Sequence, residues 1–90
     1  MNALRREILI TNQRGLHARA SAKFVNLASG LDANVEVEKD GNKVCGTSIM
    51  GLMMLGAARG DEIEIRVDGD GAEAALQELA GLVSGGFGET

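Results

Sequence analysis

The sequence predicts an open-faced two-layer α/β (α+β) sandwich, an antiparallel four-stranded sheet covered on one face by three helices. Three observations carry this. Two segments alternate strictly: Val35 and Val37 against Glu36 and Glu38, then Ile63, Ile65 and Val67 against Glu62, Glu64 and Arg66. Strands with one charged face need helices on the other side only. The remaining apolar segments each show a single stripe at helical spacing, and Asp40-Gly41 joins two strands with the residues of a tight hairpin.

Taken in order, residues 7–11 place Ile8 and Ile10 two apart, a half-buried strand. Asn12-Gln13-Arg14-Gly15 is turn chemistry, and from His17 the period becomes helical, with Ala20, Phe24 and Ala28 at four-residue intervals up to Gly30. Residues 34–39 and 43–47 form the hairpin. With Asp40 and Gly41 as its loop, Val37 faces Val44, Glu36 faces Cys45 and Glu38 faces Lys43. Ser48 caps a short helix over 49–55 that Gly56 stops. The fourth strand covers 61–67. After Asp68-Gly69-Asp70-Gly71, the residues Ala72, Ala75, Leu76, Leu79, Leu82 and Val83 mark a third helix that dissolves at Ser84-Gly85-Gly86. A single domain over 1–83 is expected, with 84–90 a flexible, glycine-rich tail.

Composition narrows the function. Ninety residues exclude a two-domain enzyme, and with only two aromatics, Phe24 and Phe87, the core must be aliphatic. Nine Lys+Arg against thirteen Asp+Glu give a net charge of −4, which argues against nucleic acid as a partner. One cysteine, Cys45, excludes an internal disulfide or a thiolate metal cluster and suits a reducing cytoplasm. The charged start, residues 1–6, lacks a signal-peptide pattern. The longest apolar run, 49–58, is about half of what a membrane span requires, so a soluble chain is expected.

His17 is the only histidine, and it stands where a glycine-led turn becomes a helix. A helix start offers unpaired N–H groups, here those of Ala18, Arg19 and Ala20, and a positive dipole end. Both favour a phosphate, and the Arg19 guanidinium adds a partner for its oxygens. The plainer reading is an exposed histidine without a role. For Ser48 the plainer reading is a helix cap, although a phosphate there would also meet a helix start. Ile49, Met50, Met53 and Met54 lie around most of a two-turn cylinder, so part of the cluster must be exposed, and flexible thioethers suit a docking patch. No acidic pair, phosphate-binding loop or Ser-His-Asp order can be assembled, which disfavours small-molecule catalysis.

Two motifs in combination, Gly15-Leu16-His17-Ala18-Arg19 and Gly46-Thr47-Ser48-Ile49-Met50-Gly51-Leu52-Met53-Met54-Leu55-Gly56-Ala57, resemble the HPr family, the histidine-containing phosphocarriers of the bacterial phosphotransferase system. The resemblance extends to about Val83, and the methionine-rich second helix is similar to the nitrogen-related branch. It implies a sheet order 1-4-2-3 and phosphorylation of His17 on Nδ1 by Enzyme I using phosphoenolpyruvate. It also implies transfer to a histidine of a IIA-type protein, with Arg19 stabilising the phosphate and Ser48 matching a serine that a kinase modifies in some members. A monomer without cofactor or metal is expected, with Ile49, Met50, Met53 and Met54 as the partner surface. The family usually continues from the arginine to proline, where this chain has Ala20 and Ser21. The alternative is a regulatory module whose His17 and Ser48 phosphorylation is a signal. A metal chaperone of similar rhythm would need paired soft ligands, and one cysteine cannot supply them.

Overall fold

The computed structural model describes residues 3–89; Met1, Asn2 and Thr90 lie outside the described residues. Strand β1 is Leu4–Leu9, helix α1 Ala18–Ser29, β2 Asn34–Lys39, β3 Asn42–Cys45, α2 Ile49–Met54, β4 Glu62–Asp68 and α3 Ala72–Ser84, followed by a 3₁₀ turn Gly86–Gly88. The sheet runs β1-β4-β2-β3 with every pair antiparallel. The helices cover one face, the open-faced sandwich that the alternating strands called for.

The hairpin register is the expected one: Val37 opposite Val44, Glu36 opposite Cys45, Glu38 opposite Lys43. Asp40 (φ 53) and Gly41 (φ 84) both take the left-handed region, which a two-residue turn joining twisted strands requires. Strand β3 ends at Cys45, short of Thr47. Gly46 comes so close to Val35 that a Cβ would lie 2.4 Å from Val35 Cγ1, and its N–H donates to the Val35 carbonyl (2.8 Å). Strand β1 begins at Leu4 and stops at Leu9, because Ile10 leaves the ladder to exchange backbone hydrogen bonds with Gly60 and Asp61. Helix α2 ends at Met54, one residue short of Leu55, and Gly56 (φ 65) reverses the chain.

Inward residues of the strands (Ile8, Val35, Val37, Ile63, Ile65, Val67) meet Phe24 and Ala28 of α1, Leu52 of α2 and Ala75, Leu79 and Val83 of α3. The core is aliphatic around two aromatic rings, and both rings are fully buried. The second ring lies in 84–90, the segment expected to be a flexible tail, of which 84–89 is described. Phe87 is 1% exposed, held in the 3₁₀ turn by positive φ at Gly86 (66), Phe87 (58) and Gly88 (72). The glycines that suggested disorder are the residues that let the chain fold back. No helix among the described residues is long and apolar enough to cross a membrane.

Candidate functional site

The loop before α1 is clamped from three sides. Gly15 (φ 64) lies against the 57–58 loop so closely that a Cβ would stand 2.2 Å from the Ala57 carbonyl oxygen, which accepts from the Leu16 N–H at 2.9 Å. Asn12 Nδ2 donates to the Gly15 carbonyl (2.8 Å) and Ser21 Oγ to that of Leu16 (3.2 Å). Ser21 is fully buried. Its bond spans His17, the residue that enters the helix.

His17 is the N-cap of α1. Nδ1 accepts the Arg19 N–H at 3.2 Å, a task usually given to a serine or aspartate oxygen. An acceptor nitrogen carries no proton, so the neutral ring is the Nε2–H tautomer. Nε2 in turn lies 2.7 Å from Glu89 Oε2, both side chains about four-fifths covered. The carboxyl of Glu89 is held below the usual carboxylate range, first by this hydrogen bond and, against some desolvation, by a second from Asn12 Nδ2 to Oε1 at 3.2 Å.

His17 lines an open concavity of about 730 Å³ together with Arg14, Arg19, Lys23, Arg59 and Glu89. Four cations thus face one carboxylate in a chain whose net charge is −4. The dipole end of α1 adds positive field. The first intrahelical bond runs from Ser21 N–H to the His17 carbonyl (2.9 Å), so the amides of Ala18, Arg19 and Ala20 precede the ladder. Ala18 and Arg19 are exposed, whereas Ala20 is fully buried and its amide lies behind the surface. The arrangement suits a small polyanion delivered to Nδ1: as Nδ1 forms a bond, the Arg19 N–H is freed to donate to the arriving oxygens.

Ser48 caps α2, its Oγ accepting from Gly51 N–H at 3.0 Å. Beyond it, Ile49 (41% exposed), Met50 (72%), Met53 (44%) and Met54 (80%) form an apolar surface, with Leu52 alone turned fully into the core. Helices α1 and α2 pack on each other, but this patch shares no lining residue with the concavity at His17. Asn12, Arg14, Lys23, Arg59 and Glu89 were not singled out from the sequence. The two arginines each precede a glycine, a modest turn signal, and Glu89 closes the Gly-Phe-Gly run taken for a tail. Among the described residues, no group of three His, Cys, Asp or Glu side chains is placed to hold a metal ion.

Residues 4–84 match the family model described as the PTS HPr component phosphorylation site. The chain is 49% identical over 86 residues to the phosphocarrier protein HPr of Neisseria meningitidis serogroup A, covering 96% of this chain and 97% of that protein. It is 38% identical over 89 residues to the phosphocarrier protein NPr of Shewanella violacea, covering 99% and 98%. Among solved structures, HPr-C-His from Thermoanaerobacter tengcongensis superposes with a TM-score of 0.90 at 41% identity, covering 100% of this chain and 99% of that one.

Proposed function

The chain belongs to the HPr family and is a phosphoryl carrier of the phosphotransferase system, not an enzyme, and on that footing we propose that His17 is the residue that carries the phosphoryl group, on Nδ1. The observation that supports this most is Nδ1 at the start of α1, placed to accept the Arg19 N–H, on a ring that lines a concavity with four cations. The lone pair of Nδ1 forms the N–P bond as the donor's bond to phosphorus breaks, and that electron pair leaves with the donor. No proton has to be removed first. Arg19 pairs with phosphoryl oxygens alongside the amides of Ala18 and Arg19.

Enzyme I as donor and a IIA-type protein as acceptor follow from the same family reading, and likeness to an NPr supports the nitrogen-related branch. The apolar surface of Ile49, Met50, Met53 and Met54 is the docking patch, and Ser48 at its edge is a site for a regulatory serine kinase. Incubation with Enzyme I and phosphoenolpyruvate should load one acid-labile phosphoryl group. His17→Asn, which keeps a capping side chain, should load none. Acid-labile phosphate retained by that variant overturns the assignment.

A further inference from the structure

Resting on the phosphocarrier reading of His17, we infer that Glu89 is a positioning residue for the transfer: a carboxy-terminal strap carries its carboxylate to Nε2 and so orients the ring and holds the neutral imidazole in the Nε2–H tautomer, with the Nδ1 lone pair open to the phosphoryl group. Three anchors hold the strap. Phe87 is buried in the core, its carbonyl accepts from Lys23 Nζ at 2.7 Å, and Asn12 Nδ2 donates to Glu89 Oε1 at 3.2 Å. The left-handed run over 86–88 sends the Phe87 ring inward and returns Glu89 to the face of His17.

The Asn12 amide tells the same story. Nδ2 is spent twice, on Gly15 and on Glu89, while Oδ1 is buried without a partner among the described residues. Turning the amide over would aim its oxygen at a carbonyl and a carboxylate, so the orientation that leaves Oδ1 unpaired is the one that serves the loop and Glu89. An unsatisfied buried acceptor has a cost, and here it is borne at the site.

The chemistry gives the carboxylate a second reason to be there. When Nδ1 bonds to phosphorus, the ring keeps its proton on Nε2 and becomes formally cationic, and Glu89 already faces that proton. A base-orienting carboxylate behind a histidine acts in this way on tautomer and charge without itself taking a proton.

The test uses the full chain with ¹⁵N-labelled histidine. In the unaltered protein the ring should show a protonated Nε2 and an unprotonated Nδ1. In Glu89→Ala the two tautomers should mix, and phosphoryl acceptance from Enzyme I and phosphoenolpyruvate should slow by about tenfold, the loss expected of one charge-assisted hydrogen bond. Glu89→Gln, which retains an acceptor oxygen without charge, should hold the tautomer better than Glu89→Ala, a graded rescue that a purely structural role does not produce. An unchanged ring tautomer and unchanged acceptance in folded Glu89→Ala overturn the inference. Failure of the unaltered chain to accept phosphate would instead overturn the reading of His17, and the ring signals, which need no donor, would still decide the role of Glu89.

Discussion

At the scale of single residues, one nitrogen has two tasks: Nδ1 of His17 caps α1 and, in the proposed reaction, attacks phosphorus. Removing the ring therefore has a structural cost as well as a chemical one. His17→Ala should lower stability by about 0.5 to 2 kcal/mol through the lost cap, with His17→Asn near normal, measured by urea unfolding. Arg19 is exposed at the mouth of the concavity, so Arg19→Ala should slow transfer roughly ten- to a hundredfold without stopping it, as one charge-assisted contact is lost among several. An unchanged rate would leave Arg19 merely solvated. The depressed pKa of Glu89 fixes the sign of a pH effect. Its contribution is present above the ordinary carboxylate range and is lost as pH falls through the lowered folded value. Stability of the unaltered protein and of Glu89→Gln should accordingly converge on acidification. His17 and Arg19 were legible in the sequence because a helix start is a local pattern; Glu89 was not, because its partner lies 72 residues away.

At the scale of elements, α2 has six residues and buries one side chain completely, so it is held by its cap and by its packing on α1 and β3 more than by its own length. Ser48→Ala should destabilise by about 0.5 to 2 kcal/mol, while Ser48→Asp keeps the cap but sets a charge beside the apolar patch and should slow loading by Enzyme I. Met53→Glu should fold normally and weaken transfer. Normal transfer with both donor and acceptor would exclude α2 from the docking surface. The hairpin makes the matching point for the sheet. Its register was legible because Asp40-Gly41 permits only one alignment that keeps Val37 and Val44 on the covered face, and it leaves Cys45 exposed on the bare one. Cys45 should react fully with an alkylating reagent in the folded protein, and protection would contradict that exposure.

At the scale of the whole molecule, charge and core are arranged around the same site. Glu7, Glu64 and Glu38 share one row across the bare face of the sheet, whereas Arg14, Arg19, Lys23 and Arg59 gather at the opening beside His17. Strand periods, helix stripes and the hairpin conveyed the elements and their two layers, since each is repeated over several residues, whereas the strand order in the sheet followed from the family resemblance. The carboxy-terminal segment escaped because a lone phenylalanine among glycines has no period, and only the tertiary fold shows the space it fills. That ring makes the strap part of the domain. Phe87→Ala removes one of two buried aromatics and should lower stability by about 3 to 5 kcal/mol, a large share of the roughly 5 to 15 kcal/mol available to a small domain. The same change releases the anchor of Glu89, so it should also mix the tautomers of His17, which a cavity elsewhere in the core should not do. Ile65→Ala, equally buried but on the central strand β4 rather than on the helix that leads into the strap, is the control. If both variants lose comparable stability and only Phe87→Ala disturbs the His17 ring, the strap couples the core to the site; an undisturbed ring in folded Phe87→Ala would show that Glu89 reaches His17 without it.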